Sequence, residues 1–122
     1  DALRAAAQRS PVPVTVAADG VGRQGADVEA ALYFCALEAL QNVAKHAPGA
    51  TATVRLAATT TGLVLEVHDD GPGLDAGHVA DGQGMQNMTD RLGAVGGSLR
   101  WESPPAGGTL VRATVPPPEG SS

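Results

Sequence analysis

The chain predicts an α/β sandwich with helices on one face of a mixed sheet, and three observations carry that expectation. Hydrophobic patterning runs in the order strand, helix, two strands, glycine-rich loop, helix, two strands. Two alternating runs, Thr51 to Ala58 and Leu63 to Asp69, are separated only by a short Thr59-Thr60-Thr61-Gly62 turn, which is the spacing of a β-hairpin. Between the first strand and that hairpin lies a long apolar helix with one polar row. With 122 residues and 43% hydrophobic content, the chain has enough material for one domain and too little for two ordinary ones.

Residues 1–10 read as the end of a preceding helix or a linker, and the domain proper as 11–116. The run from Pro11 to Ala17 is a strand with Val12, Val14 and Val16 on one face, and its prolines confine it to a sheet edge or a strand start. Asp19-Gly20 and Gly22 to Gly25 are turn residues, after which Asp27 is placed to cap a helix over about 27–47 that Pro48-Gly49 stops. In the hairpin, Leu63, Leu65 and Val67 share a face, and a period of two carries Asp69 to that same face. Asp70 to Gly84 reads as a long loop rich in glycine, and Met85, Met88, Leu92 and Val95 then have helical spacing up to Gly96-Gly97. That methionine pair reads as core, not ligand. Ser98 to Glu102 and Thr109 to Val115 are two further strands, and residues 117–122 form a frayed tail.

Composition removes several classes of function. A net charge of −5 without any Lys/Arg cluster argues against a nucleic-acid partner. The single cysteine, Cys35, excludes an internal disulfide and fits a reducing, cytoplasmic setting; in so apolar a helix it reads as a small buried hydrophobe. No run approaches the ~18 apolar residues of a membrane span, so direct membrane contact is not expected, while anchoring of a larger parent stays open. The opening on Asp1 without methionine suggests a piece of something longer.

Chemistry concentrates in three places. Glu38, Gln41, Asn42 and Lys45 stand at i, i+3, i+4 and i+7 and form one polar row on the long helix. Taken alone, such a row is what a solvated amphipathic face shows; on a helix otherwise apolar nearly all round, it suggests a bound ion and its phosphates, with the Asn42 side-chain oxygen suited to Mg²⁺. Asp69-Asp70-Gly71-Pro72-Gly73 sets a core-face carboxylate before two glycines, so a flat ligand can approach the backbone while the carboxylate accepts its N–H groups, as an adenine amino group would require. Gly82-Gln83-Gly84 precedes a helix whose free N–H groups and dipole favour phosphate oxygens. Each motif is weak by itself, and the three in this order are strong.

In these motifs the chain resembles the ATP-binding domain with the Bergerat fold, shared by DNA gyrase, the heat-shock chaperone of that class, sensor histidine kinases and MutL. The resemblance runs from about Pro11 to Pro116. The stretch from Glu38 through Asn42, Lys45 and His46 to Ala47 resembles the family's N box, Asp69-x-Gly71-x-Gly73 its G1 box, and Gly82-x-Gly84 its G2 box. Gly107-Gly108-Thr109 resembles the late element whose threonine lies beside the adenine-reading aspartate. Met88, Arg91, Leu92, Gly96 and Gly97 match the branch of histidine kinases paired with LuxR/NarL-type response regulators. Two positions depart: Met85 stands where leucine is usual and Asn87 where a small glycine is frequent.

The resemblance implies a mostly antiparallel sheet, ATP and Mg²⁺ as ligands, and transfer of the γ-phosphoryl group to a histidine on a separate dimerisation domain, then to an aspartate of a response regulator. Catalytic duties would fall to Glu38, Asn42 and Lys45. Asn42 would hold Mg²⁺ with Glu38 as a second candidate, and Lys45 and His46 would contact phosphate. Asp69, Gly71, Gly73 and Thr109 would line the adenine site, and Gly82, Gly84 and Met85 the turn that closes over the phosphates. None of His46, His68 and His78 is expected to be the phosphoacceptor. The isolated domain would be a monomer and its parent a homodimer. Two rivals share the motifs: an anti-sigma-factor serine kinase, and an interaction module that binds nucleotide without transferring phosphate.

Overall fold

The computed structural model describes residues 2–10, 12–18, 25–47, 49–60, 62–71, 83–104 and 107–116, apart from the side chains of Ala2, His46 and Gln83. Its elements are α1 (Ala2–Arg9), β1 (Val14–Ala17), α2 (Ala26–His46), β2 (Ala52–Thr59), β3 (Gly62–Asp69), α3 (Gln83–Gly93), β4 (Ser98–Glu102) and β5 (Thr109–Val115). The strands form one sheet in the order β1-β2-β3-β5-β4. β1 runs parallel to β2 and every other pairing is antiparallel, which is the mixed, mostly antiparallel sheet expected. β1 occupies an edge, where the prolines before it cost no ladder hydrogen bond.

Period two decides which strand residues meet the helices. Ala52 and Val54 of β2, Leu63, Leu65 and Val67 of β3, and Val111, Ala113 and Val115 of β5 are buried. They share one core with Leu32, Cys35, Ala36, Ala39, Leu40 and Val43 of α2 and with Met88 and Leu92 of α3. Met88 and Leu92 have no exposed surface, so the methionine spacing does mark core. Leu3 of α1 joins the same cluster. The opposite sheet face is polar: Arg112 lies 2.8 Å from Glu66 on β3 and 4.0 Å from Glu102 on β4.

Three expectations about the helices are corrected. The N-cap of α2 is Gly25, not Asp27; no side-chain cap bond is made there, because Asp27 already lies inside the first turn and accepts the Val28 N–H at 2.9 Å. α2 is also not enclosed on nearly all sides, since Ala30, Gln41 and Lys45 are exposed and Tyr33, Phe34 and Leu37 half-buried. Its apolar excess is spent on a two-layer packing that leaves one flank of the helix in water. Finally, α3 starts at Gln83, so Gly84 stands in its first turn and not before it. At its other end Gly96 N–H donates to the Gly93 carbonyl and Gly97 N–H to that of Leu92, closing the last turn as the glycine pair predicts.

Candidate functional site

One end of the candidate site is built on strand termini. Asp69 ends β3 and is only 6% exposed, the one buried charged residue among the described residues. Such burial is costly unless the carboxylate is bonded, and Asp69 Oδ1 accepts the Gly71 N–H at 2.8 Å. That bond folds the chain back immediately after the strand. Across the ladder, Asp69 pairs with Thr109 of β5, so the threonine lies beside it as the resemblance implies. Gly108 before it has φ +80°, and a Cβ there would overlap the Asp69 carbonyl oxygen; only glycine fits. Gly71 is held as closely from the helix side, since a Cβ on it would stand 2.6 Å from that of Ala47 at the end of α2.

The neighbours of Asp69 tie its strand to both sides. Asp70 accepts from Thr51 twice, from the backbone N–H at 2.7 Å and from Oγ1 at 2.8 Å, and these two bonds, the backbone one first, hold its carboxyl below the usual range. His68, on the opposite sheet face, has Nε2 3.2 Å from the Gly107 carbonyl oxygen.

The polar row of α2 divides in two. Gln41 and Lys45 are exposed, whereas Glu38 and Asn42 are half-buried and face the first turn of α3. A Cβ on Gly84 would stand 2.9 Å from Glu38 Oε2, 3.7 Å from Asn42 Nδ2 and 3.8 Å from Asn42 Oδ1, so the glycine leaves room for the Glu38 carboxylate and the Asn42 amide beside it. That first turn has no acidic side chain among its described residues, and the dipole of the helix favours an anion at that end. Two oxygen donors fit Mg²⁺, which takes one or two protein ligands and completes its shell with water and phosphate; no cluster of three metal-binding side chains occurs among the described residues. The α2 rise of about 1.5 Å per residue separates Asn42 from Ala47, which packs on Gly71, by about 7 to 8 Å along the axis.

Gly73, Gly82 and His78 lie outside the described residues, as does the side chain of His46. Met85 is half-buried on α3 and packs against the core. Sequence reasoning did not find the contacts that bind these parts together. Arg91 of α3 lies over the Phe34 ring of α2, 4.6 Å from its centroid, clamping the helix pair one turn from Glu38. Neither this pairing nor those of His68 and Asp70 has a signal in spacing, because each joins residues from separate elements. Cys35, one turn before Ala39, is buried, and burial with the Glu38 charge nearby pushes its thiol up to about 11, so it stays protonated and inert.

Over residues 27–119 the chain matches the histidine kinase-, DNA gyrase B- and HSP90-like ATPases, and it belongs to that family. It is 31% identical over 90 residues to the signal transduction histidine-protein kinase/phosphatase DegS of Brevibacillus brevis, covering 73% of this chain and 23% of that protein. It is 33% identical over 110 residues to the sensor histidine kinase NarS of Mycobacterium tuberculosis, covering 83% of this chain and 24% of that protein. The chain thus spans about a quarter of the length of these relatives. Its fold is that of the ATP binding domain of PrrB from Mycobacterium tuberculosis, with a TM-score of 0.71 at 22% identity over 97% of this chain and 90% of that one. No helix among the described residues is long and apolar enough to cross a membrane.

Proposed function

We propose that this chain is the ATP-binding catalytic domain of a sensor histidine kinase, working on the cytoplasmic side. It would pass the γ-phosphoryl group of ATP to a histidine on the dimerisation domain of the same parent, for relay to a LuxR/NarL-type response regulator. The observation that carries the reading is a buried, strand-end carboxylate at Asp69 together with the Glu38–Asn42–Gly84 cluster between α2 and α3. The sensor histidine kinases among its relatives favour this reading over the serine-kinase and non-catalytic alternatives.

In this mechanism Asp69 accepts from the adenine amino group, with Thr109 beside it and Gly71 allowing close approach. Asn42 holds Mg²⁺ through its side-chain oxygen, with Glu38 as the second donor. Bound there, the ion neutralises charge on the phosphates. Lys45, exposed one turn beyond Gln41, reaches phosphate from the open flank, as would His46. Gly73 would line the adenine side with Asp69, Gly71 and Thr109, and Gly82, Gly84 and Met85 would belong to the turn that closes over the triphosphate. Glu38 has a second possible duty, orienting or deprotonating the attacking imidazole. Catalysis is then mostly positioning of acceptor and γ-phosphate in line.

The test is twofold. Calorimetry should show ATP binding that needs Mg²⁺ for full affinity. Labelled ATP should leave the chain alone unmodified, as a monomer, yet label a histidine-bearing dimerisation domain of the parent added in trans, with acid-labile, alkali-stable phosphate. Stoichiometric phosphate on His46, His68 or His78 would overturn the proposed division of labour.

A further inference from the structure

The His68 imidazole sits one residue before Asp69 but on the other sheet face. Its Nε2 is 3.2 Å from the Gly107 carbonyl oxygen. A carbonyl only accepts, so Nε2 carries the proton and donates. Gly107 is itself turned back by its N–H bond to the Pro104 carbonyl at 2.9 Å, and it precedes the glycine that lies against the Asp69 carbonyl. Thr109, the ladder partner of Asp69, follows directly. The β4–β5 turn therefore enters β5 held at one point by the side chain of the residue adjoining Asp69.

We propose that His68 is a positioning residue for the base-facing end of the site: by tethering Gly107 from the outer sheet face, it fixes the turn that sets Gly108 and Thr109 against Asp69. Asp70 performs the matching task toward β2 through Thr51, so the strand end carrying Asp69 is tied on both sides. His68 touches no nucleotide. Its influence passes through the backbone of residues 107–109, and a glutamine in its place can keep the tether because its amide also presents an N–H to a carbonyl.

The inference rests on the nucleotide-binding reading, and two measurements separate the fate of each. Amide hydrogen exchange without nucleotide reads the tether directly: His68→Leu should speed exchange at Gly107, Gly108 and Thr109 while His68→Gln leaves it near wild type. Calorimetry then reads its consequence. His68→Leu should weaken ATP and ADP alike, by up to about fivefold, the most that one neutral hydrogen bond can supply, with the Mg²⁺ dependence intact and circular dichroism showing the fold retained. His68→Gln should restore the affinity. Equal exchange in His68→Leu and wild type, or equal affinity for both nucleotides, would overturn the inference while leaving the proposed function standing; a wild-type chain that binds no adenine nucleotide would overturn both.

Discussion

The two ends of the site are held by different physics. At the base-facing end, Asp69 and Thr109 are opposite residues on neighbouring strands, so their separation is set by the β-ladder itself and reinforced by hydrogen bonds through Gly71, Thr51 and Gly107. At the phosphate-facing end, Glu38 and Asn42 meet Gly84 only because α2 and α3 pack together, through buried Met88 and Leu92 and the Arg91–Phe34 contact. Hydrogen-bonded strands offer one register, whereas packed helices can shift by fractions of an ångström as side chains repack. The end proposed to read the base is therefore built as a fixed point, and the end proposed to hold the phosphates is the part whose geometry a helix movement can tune.

Substitutions can break or sharpen that contrast. The largest effect is expected of Asn42→Ala, which removes an oxygen donor to Mg²⁺ and should abolish productive Mg·ATP binding while ADP without metal still binds at the base end. Calorimetry with and without Mg²⁺ checks it, and unchanged affinity would remove the α2 polar row from the site. Next in size, Asp69→Asn should weaken every adenine nucleotide and erode the preference for ATP over GTP, with circular dichroism showing an intact fold, because the amide can no longer accept at both positions. Retention of wild-type affinity and base preference would exclude Asp69 as the base reader.

A smaller and more selective loss is expected of Gly84→Ala. The added methyl would stand 2.9 Å from Glu38 Oε2, the mobile end of a side chain, so the carboxylate moves aside and the fold does not suffer. Alanine is favoured over glycine inside a helix by up to about 1 kcal/mol, so the melting temperature should hold or rise while phosphotransfer to an added acceptor domain falls. Unchanged transfer would argue that the position of Glu38 does not matter. The smallest effect concerns Asp70, whose carboxyl in the folded chain lies below its ordinary value because Thr51 donates to it twice. Its stabilising share is present above the unfolded-state value and is lost as pH falls through the folded one, so urea midpoints should decline on the acid side of about pH 4. In Asp70→Ala that part of the acid dependence should disappear.

Much of this arrangement was legible in the residues, for a reason that differs by element. The alternation of Leu63, Leu65 and Val67 placed Asp69 on the core face before any contact was known, because the side-chain period of a strand is two wherever it lies. The prolines limited β1 to a sheet edge or a strand start, and it lies at an edge, while the end of α3 followed from Gly96-Gly97. Helix starts were less legible: Asp27 is a good capping residue, yet Gly25 holds the cap position, and α3 begins at Gln83, since a boundary depends on where the flanking chain can turn as well as on propensity.

The sequence by itself determined the order of elements, the inward face of each strand and the residue types that suit adenine, Mg²⁺ and phosphate, all of which depend on local periodicity and side-chain chemistry. Only the tertiary structure decided that Glu38 and Asn42 converge on Gly84 while Gln41 and Lys45 of the same row stay in water, and that His68 reaches Gly107. Those outcomes turn on the distance between α2 and α3 and on the pairing of β3 with β5, which join residues some forty positions apart. Periodicity along one element says which way a side chain points, and packing between elements says what it meets.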